Sequence, residues 1–426
     1  MLVSRRSFIM PDVALTYIPT DKFKTGYLSL SLLRPLDRRE AALNSLLPEV
    51  LLQGSARWPD MQAISDRLDE FYGAGLESMN RRRGEVHLIG LFSDCVDDRY
   101  TPEGVLEPVI ETMGELLLNP ALEGGVFRED YVRIEQQNLI RAIQAQINDK
   151  RSYASRRLLE LMFRGEAYGI DRRGTEEDVN VITPEGLYSH YQNILAASRV
   201  ELFYMGGAEE ERVADCFRRA LEPLPRTAVD PVGTVVLRRA GEPREITETA
   251  EVTQGKLVMG LRTDCIGTEP DYPGLLLLNG VLGGTVSSKL FQNVREAMSL
   301  CYYAGSGIDK AKGIMTISAG IAFENYEIAK QAILQQLEDC RRGAITGEEL
   351  ESARSYIRST LQIAKDSPSR QEELSIGQAL GIGSADLDAQ IAALDAVTAD
   401  QVQAAANKLT LDTIYFMKGE EPDAAS

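Results

Sequence analysis

The segment LGGTVSSKLFQNVRE, residues 282–296, is the most informative part of this chain, and Leu300-Cys301-Tyr302 follows it closely. Gly283-Gly284 permits a tight turn, because glycine lacks a Cβ. The residues after the turn have the spacing of an amphipathic helix. The segment therefore predicts a glycine turn, a helix that presents Arg295 near its end, and a strand that begins around Tyr302.

Side chains within the segment refine this prediction. Leu290, Phe291 and Val294 form an apolar stripe, and Ser287 or Ser288 can cap the helix. Cys301 lies in an alternating pattern that indicates a small core residue. No histidine lies nearby in sequence to activate its thiol as a nucleophile.

The pattern of elements around this segment occurs twice along the chain. Strands come in hairpins and helices in runs, which favours α+β over regular β-α-β alternation in one large α/β domain. Landmarks of the two halves are separated by roughly constant offsets, as expected for an internal repeat. The predicted strands are 24–33, 76–83, 85–94 and 200–205 in the first half, and 256–262, 301–309, 313–323 and 412–417 in the second.

A linker separates the two copies. Residues 223–243 contain Pro223, Pro225, Pro231 and Pro243, which is linker composition. We therefore predict two homologous α+β domains, residues 1–222 and 244–426, each a mostly antiparallel sheet with helices on one face.

Composition excludes several classes of protein. The chain has 426 residues, 44% of them hydrophobic, and a net charge of -18, which lacks the basic footprint of a nucleic-acid-binding protein. No apolar run approaches the roughly 20 residues needed to cross a bilayer. The five scattered cysteines, without a C-x-x-C pair, favour buried thiols in a reducing compartment. We expect a cytoplasmic protein without membrane or nucleic-acid partners.

The glycine turn with Arg295 and Tyr302 resembles the second-domain signature of the insulinase-like metallopeptidases, the pitrilysin or M16 family. The resemblance covers essentially the whole chain and implies two domains of the LuxS/mitochondrial-processing-peptidase-like metallohydrolase type. It also implies that Arg295, Tyr302, Gly283 and Gly284 bind substrate peptide. Lys289 stands where many relatives have arginine, which preserves the charge but not bidentate bonding.

The zinc motif of active relatives, H-x-x-E-H on the first long helix, is missing. An alignment anchored on Gly54-Ser55 places Ser45, Pro48 and Glu49 at its three functional positions. Ala142 occupies the position of the third ligand. Neither a methyl group nor proline can coordinate zinc or act as a base, so the resemblance implies no catalytic residue and no cofactor in this chain.

Nearby residues leave alternatives open. Pro48 disfavours a helix interior, so Asn44 or Ser45 could cap a helix that begins later. Glu135 matches an upstream family glutamate; we favour a solvated helix acid over a relic that is hydrogen-bonded within the fold. The only histidines, His87 and His190, are expected to make ordinary hydrogen bonds, although the fold could bring them together.

Together with the missing zinc motif, the resemblance implies a non-catalytic, substrate-binding subunit of a heterodimeric M16 peptidase. The resemblance implies a partner with intact H-x-x-E-H that supplies zinc and cleaves the peptide, and the isolated chain could homodimerise. One alternative is a structural scaffold of the same fold. Another is a peptidase with a site rebuilt from Glu49, Glu135 or a thiol.

Overall fold

A computed structural model describes residues 4–419. Contacts between residues divide the chain into two compact units. Unit 1 contains the chain up to residue 144 and Ile170–Gly233, and unit 2 contains Ala145–Gly169 and the chain from residue 234 onward. Strands and helices are numbered along the chain.

Unit 1 is built on a six-stranded sheet with helices and a small two-stranded ribbon, β6 with β7. Its strands are β1 (Arg5–Met10), β2 (Val13–Pro19), β3 (Thr25–Pro35), β4 (Gly75–Arg83), β5 (Val86–Val96), β6 (Leu122–Glu123), β7 (Val126–Phe127) and β8 (Arg199–Gly206). Its helices are α1 (Arg38–Leu51), α2 (Met61–Asp69), α3 (Leu106–Leu118), α4 (Glu129–Gln144), α6 (Glu176–Asn180), α7 (Pro184–Ala197) and α8 (Glu210–Leu221).

Unit 2 is built on a five-stranded sheet. Its strands are β9 (Arg244–Thr249), β10 (Gly255–Arg262), β11 (Cys301–Asp309), β12 (Ile314–Ile321) and β13 (Thr410–Lys418). Its α-helices are α5 (Lys150–Met162), α9 (Tyr272–Asn279), α10 (Tyr326–Arg341), α11 (Gly347–Ala364), α12 (Pro368–Ala379), α13 (Leu387–Asp395) and α14 (Ala399–Lys408). Short 3-10 turns lie at Asp98–Tyr100 in unit 1 and at Ala145–Asn148, Ala167–Gly169 and Phe323–Asn325 in unit 2.

The two sheets share one topology. The strand order is β1-β2-β8-β3-β5-β4 in unit 1 and β9-β13-β10-β12-β11 in unit 2, read in the matching direction. In each sheet one pair is parallel, β2 with β8 and β9 with β13, and the other pairs are antiparallel. The predicted α+β fold with a repeated plan is confirmed, and β4 and β11 are the equivalent outer strands.

Helix α5 packs against the sheet of unit 2. Its buried Ala154 and Leu158 contact Val258 and Tyr415, which alternate with residues that face the main core of this unit. Because neighbouring strand residues point to opposite faces, α5 covers the face opposite that core. Residues 145–169 therefore group with unit 2, whereas the predicted domain bounds place them with the first domain.

Local structure differs from the predictions in two ways. Strands β1, β2 and β9 were not predicted. Helix α9 continues as a π-helix over Gly280–Gly284, and the predicted helix that presents Arg295 is a π-helix over Leu290–Ala297. Such wide turns often occur at functional sites.

Candidate functional site

Helix α1 runs continuously through the positions that correspond to the zinc motif. Asp37 caps it by accepting a hydrogen bond from the amide of Arg39, and Pro48 lies inside it. The alternative that Asn44 or Ser45 caps a later helix is therefore wrong. Since proline has no amide proton, the carbonyl of Asn44 loses its usual helical donor.

A chain of hydrogen bonds fills the space beside Ser45. The Ser45 hydroxyl donates to the main-chain oxygen of Arg172 at 2.6 Å and accepts from Asn80 Nδ2 at 2.6 Å. Asn80 Oδ1 lies 2.9 Å from His87 Nε2, and Asn44 Nδ2 lies 3.3 Å from His87 Nδ1. Because a carbonyl can only accept, the Arg172 end orients the chain. Nε2 of His87 therefore donates, and Nδ1 accepts.

His190 joins the same network through Asn44. Its Nε2 lies 2.8 Å from Asn44 Oδ1, so the Asn44 amide accepts from His190 and donates to His87. The expected ordinary hydrogen bonds of the two histidines are confirmed. The sequence did not reveal that one buried asparagine connects them; its place next to Ser45 on α1 is the only signal that could have suggested it.

Burial keeps both histidines neutral. It lowers the pKa of His87 to about 3, and the charges of Arg172 and Arg82 act in the same direction. It also lowers the pKa of His190 to about 4, although Glu40 opposes the change. Neutral rings match the hydrogen-bond directions of the network, because a protonated His87 would direct a second donor at the Asn44 amide.

Glu49 and Glu135 lie on the packed helices α1 and α4. Glu49 accepts from Ser78 Oγ at 2.7 Å, and burial raises its pKa. Glu135 is 7% exposed and accepts from Gln53 Nε2 at 2.6 Å and Asn138 Nδ2 at 3.0 Å. The favoured prediction of a solvated helix acid is therefore wrong, because α1 covers Glu135.

The residues at the family's zinc positions do not fit a zinc ion. Ser45 is committed to the network, Pro48 offers no donor atom, and Ala142 presents an exposed methyl group on α4. Glu49 alone offers a carboxylate. Within residues 4–419, no group of three or more histidine, cysteine or acidic side chains is arranged to hold a metal.

Residues 170–174 close this end of the sheet in unit 1. Arg172 Nε donates to the main-chain oxygen of Asn80 at 3.2 Å and so occupies part of the outer edge of β4. Gly174 has φ +71°, and a Cβ added there would lie 2.8 Å from Ala42 Cβ on α1. The site is thus filled from within the unit.

The glycine turn in unit 2 packs closely, as predicted. A Cβ on Gly283 would lie 2.6 Å from the Ser306 amide nitrogen on β11, and one on Gly284 would lie 2.7 Å from Asn279 Nδ2. Only glycine allows this approach between the turn and the strand.

The polar residues 287–289, which follow the glycine turn, point toward other residues of unit 2 rather than toward solvent. Ser287 Oγ lies 2.7 Å from Ser352 Oγ, while Ser288 Oγ is buried and has no partner among the described residues. The predicted serine cap is wrong, since no side chain caps the π-helix. Lys289 is 7% exposed and donates to Glu349 at 2.8 Å, so its charge is neutralised inside the unit.

Arg295 and Tyr302 are accessible. The guanidinium of Arg295 stacks over Phe291 at 4.4 Å and lies 3.5 Å from Glu296. Tyr302 is 70% exposed because it is the extra residue of a β-bulge: Cys301 pairs with Ile321 and Tyr303 with Gly320. A bulge re-aims a side chain at the end of a strand.

The thiols have the properties of core groups. All five cysteines are free and buried. Burial raises the pKa of Cys301 to about 11, and the nearby charge of Arg295 opposes this only in part. The thiol form therefore dominates at neutral pH, as expected for the predicted core residue.

Comparisons with known proteins agree with this geometry. Residues 182–357 match the family model described as the peptidase M16 inactive domain. The chain is similar to the "Probable inactive metalloprotease YmfF" of Bacillus subtilis, with 32% identity over 95% of each chain. It is also similar to the "Uncharacterized zinc protease YmxG" of the same organism, with 25% identity over 59% of this chain and 61% of that one.

Solved structures share the fold. A conserved protein from Enterococcus faecalis V583 superposes with a TM-score of 0.92 and 28% identity over 99% of this chain and all of that chain. A peptidase M16 inactive domain from Pseudomonas fluorescens has a TM-score of 0.77 and 16% identity, with 99% of both chains covered. No helix among residues 4–419 is long and apolar enough to span a membrane.

Proposed function

This chain belongs to the peptidase M16 family, and we propose that it is a non-catalytic, substrate-binding subunit of a heterodimeric zinc peptidase. The partner subunit would carry an intact H-x-x-E-H motif and the zinc. This chain would help to enclose the peptide and would hold it while the partner cleaves it.

One contrast carries the proposal. In unit 1, Ser45 is committed to a network of polar groups that bond to each other, and the described residues contain no group of three or more histidine, cysteine or acidic side chains that could hold a metal. In unit 2, Arg295 near the end of the π-helix and Tyr302 at the start of β11 both reach solvent. On this proposal, the chain has lost the catalytic part of the site and has kept the part that binds peptide.

The two exposed groups suit peptide binding. A guanidinium and a phenol can donate hydrogen bonds to a peptide carbonyl, and these bonds strengthen if that oxygen gains charge when water attacks. Loss of such a donor typically slows a peptidase by about 100-fold or more. Arg295 and Tyr302 would contribute in this way to the site of the partner.

The test reconstitutes this chain with an M16 peptidase from the same organism that has the intact motif. We expect Arg295→Ala combined with Tyr302→Phe to lower kcat/KM for peptides by at least about tenfold. The control variant combines Arg239→Ala with Tyr100→Phe and removes the same chemical groups from other exposed positions. The Arg239 side chain is 79% exposed, and Tyr100 is 54% exposed. An unchanged rate in the first variant would contradict the mechanism.

Two further results would favour the alternatives. A complex that forms but shows no peptide binding would indicate a scaffold of this fold. Stoichiometric, tightly bound zinc in the isolated chain would indicate a rebuilt catalytic site, because the described residues provide no such donor set.

A further inference from the structure

A cavity of about 170 Å³ lies in unit 2, between the first turn of α9 and helices α13 and α14. Helix α9 packs against both of the other helices, and the cavity is the space that remains between them. Its described lining includes neither the glycine turn nor Arg295 or Tyr302. The cavity is therefore separate from the candidate functional site.

The floor of the cavity is apolar. Leu275, Val397 and Ala405 line it and are buried. Cys265 also lines it, and burial raises the pKa of its thiol to about 12, so that the thiol stays protonated and behaves as a small apolar group. A hydrocarbon group placed on this floor would leave water, which favours its binding.

Alanines at the mouth keep the cavity open. Ala393 on α13, Ala396 directly after it and Ala404 on α14 line the cavity and are exposed. Each has only a methyl group, so a larger side chain at any of these positions would narrow the opening. Since an apolar cavity of roughly 150 Å³ is known to bind benzene, this one has room for a group of about four to six carbon atoms.

Two opposite charges line the same cavity. Asp271 caps the start of α9, and Lys408 ends α14. Lys408 Nζ donates to Asp271 Oδ2, and the two side chains remain 37% and 61% exposed. The ammonium group has three protons and the carboxylate has several lone pairs, so both can bind a further group.

The charges indicate which ligand suits the cavity. Because the pair is neutral as a whole, an ion of either sign is attracted by one member and repelled by the other. A zwitterion can instead place its negative group at Lys408 and its positive group at Asp271. An α-amino acid carries both groups on one carbon atom, next to its side chain.

We propose that this cavity binds a free α-amino acid with an aliphatic or small aromatic side chain, such as leucine or phenylalanine. The side chain lies on the apolar floor, the α-carboxylate accepts a hydrogen bond from Lys408, and the α-ammonium group donates one to Asp271. This binding site goes beyond the proposed function and does not depend on it.

The first test measures the binding of leucine to the full chain by isothermal titration calorimetry. Isoamylamine lacks the carboxylate of leucine, and isocaproate lacks its ammonium group. We expect leucine to bind at least about tenfold more tightly than either, because each charge-assisted hydrogen bond contributes. Glycine keeps both charges but has no side chain, and it should bind at least about tenfold more weakly than leucine. No binding of leucine, or equal binding of leucine and isocaproate, would overturn the inference.

A pair of variants tests the position of the side chain. Ala404→Phe fills the cavity from an exposed position and should weaken leucine binding by at least about tenfold. Ala392→Phe makes the same change at an exposed alanine of α13 outside the lining and should alter the affinity by less than about threefold. If both variants weaken binding equally, leucine does not occupy this cavity.

A second pair tests the charged groups. Lys408→Gln should weaken leucine binding by at least about tenfold, since Asp271 alone repels the carboxylate. The matched control is Lys365→Gln, because Lys365 pairs with Asp388 at similar exposure but lies outside the lining. Equal losses in these two variants would show a general electrostatic effect and contradict the assignment.

Hydrogen–deuterium exchange of the unaltered protein gives a readout that needs no variant. Bound leucine should slow exchange at amides of residues 263–275 and 393–408 and leave β11 unchanged. Protection of the glycine turn and β11 instead would place leucine in the candidate functional site and refute the inference. The dependence of the reconstituted peptidase on Arg295 and Tyr302 is a separate measurement, so either proposal can fail while the other stands.

Discussion

The outer ends of the two sheets invite comparison, because β4 and β11 occupy the same place in the same topology. In unit 1 the region beside β4 is closed. Asn44 connects the buried His87 to the half-buried His190, Ser45 bonds to the backbone of residue 172, and Arg172 donates to a carbonyl of the strand. In unit 2 the region beside β11 is an open cleft bordered by glycine and serine.

The comparison shows that the same sheet topology can end in a filled region, as beside β4, or in an open cleft, as beside β11. Medium-sized polar side chains that bond to each other fill a site and make it structural, because buried polar groups must find partners. Small residues leave backbone and space available for a ligand. Three measurements of stability test this contrast.

Acidification should cause the largest loss of stability, because His87 and His190 in the filled region of unit 1 are neutral in the folded protein. The pKa values of His87 and His190, about 3 and about 4, lie below their ordinary value of 6.5. The unfolded chain therefore binds protons first as pH falls, so the stability present above about pH 6.5 is lost toward about pH 4. From about pH 7 to about pH 5, each histidine should cost on the order of 2 kcal/mol.

Thermal unfolding at several pH values measures this loss. His190→Gln keeps a donor for Asn44 Oδ1 but does not titrate, so its unfolding midpoint should fall about half as steeply as that of the unaltered protein. Identical pH profiles for the two proteins would show that His190 does not contribute.

Removal of the Asn44 side-chain amide should cause the second-largest loss of stability. Asn44 is fully buried and bonds to both histidines, so Asn44→Ala leaves two ring nitrogens without partners and a small cavity. We expect a loss of about 3 kcal/mol in the free energy of unfolding, or roughly 6–10 °C in the midpoint of the transition that includes this network. Differential scanning fluorimetry checks this against Asn180→Ala, an exposed control that should shift the midpoint by less than about 1 °C.

A methyl group added at Gly283, between the glycine turn and β11, should cause the smallest loss of stability. Gly283→Ala places a methyl group 2.6 Å from the Ser306 amide nitrogen, and we expect a loss of about 2 kcal/mol from the resulting backbone shift. Gly377→Ala, in α12, meets no atom within 4 Å and should be neutral or stabilising by up to about 1 kcal/mol. Chemical denaturation of the full chain distinguishes the two variants, and equal effects would argue against close packing at Gly283.

Much of the fold could be predicted because local patterns carry it. The hairpin strands β4 and β5 differ from the predicted strands 76–83 and 85–94 by two residues at most. Strands β2 and β9 were missed because their pairing is parallel and distant: β2 pairs with β8, and β9 with β13. Strand β9 also follows a proline-rich segment and has mostly exposed residues, so no clear alternation marks it.

Some features of the candidate site could likewise be predicted from the sequence, and others could not. Mismatches at Ser45, Pro48, Glu49 and Ala142 were readable from aligned positions, as was the glycine turn. The environment of Glu135 was not, because its burial depends on α1, and its partner Gln53 is 82 residues away.

The order of the elements, the repeated plan and the mismatches at the family's zinc positions can be read from the sequence, since they depend on residue types and short spacings. The hydrogen bonds that fill the end of one sheet, and the open cleft at the end of the other, follow from contacts between residues that are distant in the chain. Asn44 meets His87 across 43 residues and His190 across 146, and Arg172 meets Asn80 across 92. Hydrogen bonds depend on distances of about 3 Å in space, which no local pattern of residues contains.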